Sequence, residues 1–295
     1  MYNKKLIFSD YVIYVSMVIL MIIMLYPFLY IISMSLSTKE NITSITFYPK
    51  GFNINAYRFI LNLPSVINGY RNTVVYTVLY TLIAITLTML CAYPLSKKWL
   101  PGRTYLTIFI VITMFFSGGL IPLFITVSRL GMMDTIWAIL IPGALNSWLM
   151  IITRTFFLSI PVELDESAYV DGANEFTILT RIYLQLSQPI IATLSLFYAV
   201  AKWNSWFDAS IYLSSQTRYP IQLILRNLMV TRGGGGFEMS DMSVAIAAMG
   251  GMSARVDPRI LNYALIVAVI LPIVFVYPFL QKYFVKGVMI GSLKG

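Results

Sequence analysis

The chain has 295 residues, of which 58% are hydrophobic and only 11% are charged, and its formal net charge is +9. A soluble domain of this length would need far more polar surface to cover its core, so the composition excludes an ordinary soluble protein. Histidine is absent and Cys91 is the only cysteine, which removes the commonest metal ligand, the commonest general base and any intrachain disulfide.

Apolar runs of about 20 residues, the length needed to cross a bilayer core of about 30 Å, recur along the whole sequence. They predict an all-α polytopic membrane protein with six transmembrane helices, at about residues 11–36, 73–96, 105–127, 136–158, 189–213 and 260–282. The first run is roughly twice as long as the apolar region of a signal peptide, which favours an uncleaved first span.

The distribution of basic residues predicts the orientation. Lys97, Lys98 and Arg103 lie in one short loop, whereas the short loop 128–135 carries only Arg129. Basic residues in short loops usually face the cytoplasm, and six spans put both termini on the same side. The sequence therefore predicts a multi-pass protein of the cell (plasma or inner) membrane with both termini in the cytoplasm.

The stretch 163–175 gathers five of the twelve acidic residues of the chain. Ser159 as a cap and Pro161 in the first turn, followed by acidic residues, predict a helix start, because carboxylates complement the positive end of the helix dipole. Gly172 can adopt a positive φ without strain and predicts the end of this helix. A second helix is predicted from Asn174 to about Leu186.

Apolar residues recur at helical spacing in this second helix, at Phe176, Leu179, Tyr183 and Leu186, flanked by Ile178 and Ile182. An apolar stripe on a loop outside the bilayer needs something to cover it. In one interpretation the stripe lies back on the membrane helices of the same chain. In the other, a protruding helix inserts into a groove of a soluble partner. The residue pattern alone leaves both open.

The same loop resembles a known family. Its residues fit the pattern E-A-A, three residues, G, nine residues, I-x-L-P, at Glu166, Ser167, Ala168, Gly172, Ile182 and Leu184, with Ser167 in place of alanine and Gln185 in place of proline. The pattern marks permease subunits of ABC importers. The wider form "IPVELDESAYVDGA" and the stretches 116–146, "WNSW" at 203–206 and 281–295 resemble the branch that imports complex saccharides.

This resemblance implies a type I ABC importer permease fold, with an N-terminal helix and extracellular segment (1–69), a permease core (70–285) and a cytoplasmic tail (286–295). The core would contain a coupling helix at about 161–186 and an extracellular loop at about 214–259. The coupling helix would dock on a separate cytoplasmic ATPase through Glu166, Ser167, Ala168, Asp171, Gly172, Ala173, Ile182 and Leu184.

The resemblance also implies the partners: a second homologous permease subunit, a cytoplasmic ABC ATPase dimer, an extracellular solute-binding protein, often a lipoprotein, and a carbohydrate substrate, with lipid around the helices. The chain has no G-x-x-x-x-G-K-[ST] phosphate loop, and Phe237 follows the glycines 233–236, so we expect no cofactor on this chain and ATP with Mg on the ATPase. Its basic residues form no stripe, which gives no reason to expect nucleic acid.

Polar residues within the predicted spans need a reason, because a charge at mid-membrane costs about 2.5–3.5 kcal/mol on insertion scales. Aromatic faces with amides or carboxylates suit a sugar pathway, and we predict one at Asn146, Trp148, Trp203, Asn204, Trp206 and Asp208. Asn204 and Asp208 are expected to share a helix face. The alternative is hydrogen bonding between helices or subunits. Arg154 is expected to extend to the membrane interface.

Two other functions compete. A proton-driven secondary transporter usually needs intramembrane carboxylates or histidines, and only Asp208 lies well inside a span. A membrane-embedded enzyme would need convergent acid, base or metal ligands, for which the carboxylates of 163–175 are the only cluster. The sequence therefore favours a non-catalytic transport subunit.

Overall fold

In the computed structural model of the protein, residues 8–38, 48–49, 51–230 and 259–275 are described, and all the regular secondary structure within them is helical. The helices are α1 (Phe8–Ser35), α2 (Asn55–Leu61), α3 (Pro64–Ser96), α4 (Arg103–Phe115), α5 (Leu120–Arg129), α6 (Trp137–Leu140), α7 (Ser147–Leu158), α8 (Glu163–Val170), α9 (Glu175–Ile178), α10 (Leu184–Leu186), α11 (Gln188–Trp203), α12 (Phe207–Tyr212), α13 (Ile221–Val230) and α14 (Arg259–Phe275). A π-helical turn, Leu179–Tyr183, joins α9 to α10, and a short 3₁₀ turn occupies Gln216–Arg218.

Two of the described helices, α1 and α3, are long and apolar enough to cross a membrane on their own. They contain most of the predicted spans 11–36 and 73–96, although α3 begins at Pro64, a residue whose fixed φ suits the first turn of a helix. Three further spans arise only if bent helix pairs each count as one: α4 with α5, α7 with α8, and the helical segment 175–186 with α11. Helical character is confirmed, and the count of six spans stays a prediction.

The prediction of an unbroken helix over 105–127 is wrong. Residues 116–119 separate α4 from α5, and the two helix axes differ by 112°. Phe116 is extended, with a φ of −120° and a ψ of 111°, and this ends α4. Gly119 directly precedes α5 with a φ of 84°, a backbone conformation that residues with a side chain rarely adopt. The predicted span 136–158 is likewise interrupted between α6 and α7, where Gly143 has a φ of 72°.

Two compact units make up the chain, one formed by Met1–Ile67 with Leu225–Pro272 and the other by Asn68–Ile224 with Ile273–Gly295. In the first unit the side chains of α1 are exposed along most of its length, and only its last turn is buried, at Ser33, Met34 and Ser35. There the Ser35 hydroxyl lies 2.6 Å from the Tyr57 hydroxyl, and the Asn53 N–H donates to the Leu36 carbonyl.

The core of the second unit lies where the C-terminal half of α3 packs against α7, the segment 178–183 and α11. Its fully buried side chains include Met150, Phe157, Ile178 and Leu194. This core places the segment 161–186 against the end of α3. The predicted tail 286–295, most of the predicted loop 214–259 and the end of the predicted span 260–282 lie outside the described residues, and the predicted domain bounds stay predictions.

Candidate functional site

The acidic loop, residues 161–186, forms the predicted helix, turn and second helix. Gly172 has a φ of 76°, which confirms that it ends the first helix in a conformation suited to glycine. The Asn174 side chain accepts a hydrogen bond from the Thr177 N–H at 2.8 Å, so the predicted start of the second helix is also confirmed. The prediction that Ser159 caps the first helix is wrong: Ser159 follows the end of α7, and its hydroxyl donates to the Phe156 carbonyl.

The second helix is not the continuous α-helix that the spacing predicts, because the π-helical turn Leu179–Tyr183 lies within it. A π-helical turn inserts an extra residue and is frequent at functional sites. Tyr183 closes this turn and is 3% exposed. The turn therefore ends at a buried phenol beside the C-terminal end of α3, where it contacts a lysine and an aspartate.

The five carboxylates of the loop divide into two groups. Glu163, Glu166 and Asp171 are exposed, whereas Asp165 is buried and Glu175 is half-buried. The exposed three are available to solvent or to a partner. The two inward carboxylates are bound by side chains of this chain, so the five carboxylates do not share one environment.

Asp165 forms a buried ion pair with Lys97, the residue that follows α3, and the two side chains are 10% and 5% exposed. The Tyr183 hydroxyl joins them: it accepts from Lys97 Nζ at 3.0 Å and donates to Asp165 Oδ2 at 3.1 Å. The ammonium also lies over two aromatic rings, 4.5 Å from the centroid of Tyr93 and 4.2 Å from that of Tyr183. We call Lys97, Asp165 and Tyr183 the buried clamp.

Desolvating two charges costs several kcal/mol per ion, so such a pair is weak evidence of net stabilisation. The clamp is also incompletely satisfied, since within the described part of the chain no donor reaches the buried Oδ1 of Asp165. Removing one partner of a buried pair is nevertheless costly, about 3–5 kcal/mol, because it leaves the other charge uncompensated. Burial, followed by the charge of Asp165, raises the pKa of Tyr183 above its ordinary value, so this phenol stays a hydrogen-bond donor.

Glu175 forms the second inward contact. Its carboxylate accepts from the Tyr93 hydroxyl at 2.7 Å and from the Tyr169 hydroxyl. Burial, followed by this hydrogen bond to Glu175, raises the pKa of Tyr169 to about 12. Tyr93 lies on α3, so the start of the second helix is also tied to that helix.

The apolar stripe also divides into two parts. Ile178, Leu179 and Tyr183 are buried against the core, as the interpretation of a stripe lying back on the same chain predicts. Phe176 and Leu186 remain 69% and 46% exposed. Neither interpretation therefore describes the whole stripe.

The eight residues predicted to dock on an ATPase occupy different environments. Glu166, Ser167, Asp171 and Gly172 are exposed, Ala168 is buried, and Ala173, Ile182 and Leu184 are half-buried against the core. Ala168 therefore packs within its own chain, and its smallness lets α8 approach the core. The sequence analysis did not single out Val170, which is 88% exposed and lies four residues after Glu166 on the same face of α8.

The predicted pathway residues in span five do not form the expected helix face. The helix breaks between α11 and α12, so Asn204 ends one helix, with Nδ2 donating to the Val200 carbonyl at 2.9 Å, while Asp208 lies in the first turn of the next. Asp208 instead lies 3.8 Å from Lys202, and the ammonium of Lys202 lies 4.5 Å from the ring centroid of Tyr80.

The aromatic residues predicted to line the pathway pack mainly on their neighbours. Trp206 lies edge-on to Phe207, with ring centroids 5.5 Å apart, and Trp148 lies edge-on to Phe197 at 5.8 Å. The indole N–H of Trp203 is buried and finds no acceptor among the described residues. Trp148 is about half exposed and Trp203 half-buried, so Trp148 is the more accessible of the two.

Asn146 and Arg154 both have partners within the chain. Asn146 caps α7, its side-chain oxygen accepting from the Leu149 N–H at 3.0 Å. Arg154 Nε donates to the Leu95 carbonyl at 2.9 Å, near the C-terminal end of α3, where a cation complements the helix dipole. The structure thus favours a structural role for the amide oxygen of Asn146 and places Arg154 against α3.

A second cluster that sequence reasoning missed surrounds Asp134, a non-glycine residue with a φ of 53°. Its carboxylate accepts from the N–H groups of Ser214 and Ser215 at 3.1 and 3.0 Å, from the Ser215 hydroxyl, and lies 3.3 Å from Arg218. The Ser215 hydrogen bonds, with smaller contributions from Ser214 and Arg218, lower the pKa of Asp134. We call this the Asp134 staple.

Within the described residues no three acidic or cysteine side chains come together as metal ligands. The carboxylates of the acidic loop are instead bound to lysine and tyrosine or are exposed singly. The acidic loop therefore has one side that is fixed to α3 by polar contacts and another side that is exposed.

The chain is similar to known transport proteins. Residues 84–290 match the family described as binding-protein-dependent transport system inner membrane component. The polygalacturonan/rhamnogalacturonan transport system permease protein YtcP of Bacillus subtilis (strain 168) is 38% identical over 97% of this chain and 98% of its own length. Protein LplC of the same organism is 39% identical over 91% of this chain and 89% of its own.

A solved structure is also similar. It is a crystal structure of a bacterial ABC transporter involved in the import of the acidic polysaccharide alginate. One of its chains superposes with a TM-score of 0.85 at 31% identity, covering 96% of this chain and all of that one.

Proposed function

The chain belongs to the family of binding-protein-dependent transport system inner membrane components, and from this premise we propose how it works within an importer. It is a non-catalytic permease subunit of an ABC transporter for carbohydrate import. We propose that it forms half of the translocation pathway and that the acidic loop couples it to a separate ATPase. Because the family consists of ABC transporter permeases, the chain is neither a proton-driven secondary transporter nor an enzyme.

The observation that carries the coupling proposal is the anchored, open arrangement of the acidic loop. Its outer side presents a docking surface, which we define as Glu166, Val170, Asp171 and Phe176, all exposed. Val170 and Phe176 are among the more exposed large apolar side chains outside α1, and carboxylates stand beside them in the sequence. An apolar anchor rimmed by charge is typical of a protein interface.

The remaining partners are proposed from the family and its named members. ATP and Mg would bind to the partner ATPase dimer, and a second permease subunit would complete the pathway. An extracellular solute-binding protein or lipoprotein would deliver the substrate, and both termini would face the cytoplasm. Uronate-containing saccharides are the first substrates to try, because the named relatives transport polygalacturonan or alginate. Among the pathway candidates Asn146, Trp148 and Asn204 are exposed, and Asp208 is half-buried.

A glycine substitution tests the coupling proposal. Gly172 has positive φ and nothing within 4 Å of an added Cβ, so Gly172→Asp meets no clash within its own chain. We expect it to reduce co-purification of the ATPase from native membranes at least tenfold, because the new carboxylate enters the docking surface. A side chain at this positive φ is strained, so the control must carry the same strain at another site.

The matched control is Gly131→Asp. Gly131 also has positive φ, at 66°, and open space around an added Cβ, but it lies beside the Asp134 staple. This variant should retain the ATPase at the wild-type level, with both variants inserted in equal amounts. Equal retention of the ATPase by the two variants, or a wild-type chain that purifies without any ATPase, contradicts the proposed docking loop.

A further inference from the structure

The buried clamp joins three separate elements at one point. Lys97 directly follows α3, Asp165 lies on α8, and Tyr183 closes the π-helical turn that leads through α10 towards α11. Their polar atoms meet within hydrogen-bonding distance. Any displacement of α8 must therefore either carry the end of α3 with it or break a buried ion pair.

The clamp is poorly explained as a device for stability alone. Buried ion pairs are often replaceable by apolar side chains without loss of stability, and this pair leaves Asp165 Oδ1 without a donor among the described residues. Hydrogen bonds to a charge have a preferred geometry, whereas apolar packing does not. The ion pair therefore fixes the position and orientation of Lys97 relative to Asp165. The aromatic rings of Tyr93 and Tyr183 on the ammonium restrict Lys97 further.

We propose that Lys97, Asp165 and Tyr183 transmit movement of the docked α8 to α3, and that Lys97 is a positioning residue for transport. This inference rests on the proposed docking of the acidic loop on an ATPase. Glu166 and Val170 would receive the force on the outer side of α8, and the clamp would pass it to a helix of 33 residues that is long enough to cross the membrane. Two carboxylates of α8 would thus have different roles: Glu166 contacts the partner and Asp165 connects α8 to α3.

The test measures a response at the far end of α3 and needs no knowledge of the sugar. Arg71 is exposed near the start of α3, 26 residues before Lys97 in the sequence. In a Cys91→Ala background, which removes the single native cysteine, Arg71→Cys provides a probe. The purified complex with its ATPase and second permease is treated with Mg-ATP and vanadate, and the rate of maleimide alkylation is followed. With Lys97 intact we expect trapping to change this rate at least fivefold.

Lys97→Met should retain the ATPase and trap the nucleotide, but its alkylation rate should change less than twofold. The double variant Lys97→Met with Asp165→Leu addresses folding, because it removes both charges and should restore the melting temperature lost in the single variant. A positioning role predicts that the response stays lost in the double variant. A merely structural role predicts that the response returns together with the melting temperature.

The outcomes separate the two proposals. Absence of an ATPase from the wild-type complex defeats the proposed function itself. An ATPase that binds and traps nucleotide, with an alkylation rate that is unaffected by trapping or equally affected in Lys97→Met, overturns the clamp while the docking loop stands. Recovery of the response in the double variant overturns it as well.

Discussion

Two clusters, each with one carboxylate and one cation, contact α3 at different points along its length and in different surroundings. At its C-terminal end is the buried clamp. In its N-terminal half the Tyr76 hydroxyl donates to the Arg218 carbonyl at 2.9 Å, and Arg218 belongs to the Asp134 staple. Tyr76 and Lys97, where the two clusters contact the helix, are 21 residues apart. At 1.5 Å per residue this is about 30 Å, close to the thickness of a bilayer core.

Burial is what distinguishes them. The side chains of Lys97 and Asp165 are 5% and 10% exposed, against 48% and 29% for Arg218 and Asp134. An exposed ion pair contributes about 0.2–1 kcal/mol, whereas breaking a buried one costs about 3–5 kcal/mol. The staple therefore holds a loop in place against solvent, while the clamp joins elements that cannot separate without a large penalty.

Removing one cation from the buried clamp and one from the Asp134 staple tests the difference between them most directly. Lys97→Met should lower the free energy of unfolding by about 3–5 kcal/mol, because Asp165 is left buried and unpaired. Arg218→Met should lower it by less than about 1 kcal/mol, because water replaces the lost contact. Thermal unfolding of both variants in the same detergent measures the difference. Equal shifts in melting temperature contradict the assignment of one clamp and one staple.

How much of this was predictable from the sequence depends on the separation of the partners along the chain. The turn at Gly172 and the cap at Asn174 follow from local backbone preferences, and both were predicted correctly. Lys97 and Asp165 are 68 positions apart, so no local pattern shows that they meet. In the sequence Lys97 counts only as one of three basic residues in a short loop.

The errors in the predicted spans have a related cause. Hydropathy measures whether a segment is apolar and says little about whether its axis is straight. The glycines at 118–119 and the break after Asn204 lie inside apolar runs, so runs 105–127 and 189–213 were predicted as single helices. The break after Asn204 then separates Asn204 from Asp208 and allows Asp208 to approach Lys202.

A smaller difference in the free energy of unfolding is expected between two variants that each lack one tyrosine hydroxyl, at the clamp and at the staple. Tyr183→Phe removes the hydroxyl that bonds to both charges of the clamp, and hydrogen bonds to charged groups contribute about 1.5–3 kcal/mol. Tyr76→Phe removes a hydrogen bond to a neutral carbonyl, for which about 0.5–1.5 kcal/mol is expected. Both substitutions keep the ring, so packing changes little. Unfolding measurements that rank Tyr76→Phe as the more damaging contradict the clamp.

The smallest expected effect is the pH response of the Asp134 staple. Its hydrogen bonds to Ser215, together with Ser214 and Arg218, lower the pKa of Asp134 below the ordinary value of 3.8. The unfolded chain therefore binds the proton more readily, so the stability contributed by this carboxylate is present above pH 3.8 and is lost as the pH falls through the lowered pKa. Asp134→Asn tolerates the same positive φ but carries no charge, and it should remove this part of the pH dependence. Melting temperatures of the two proteins between about pH 3 and pH 6 should therefore converge towards the acid end. If the gap between them is constant over that range, the carboxylate charge does not stabilise the staple, and the backbone hydrogen bonds alone hold the loop.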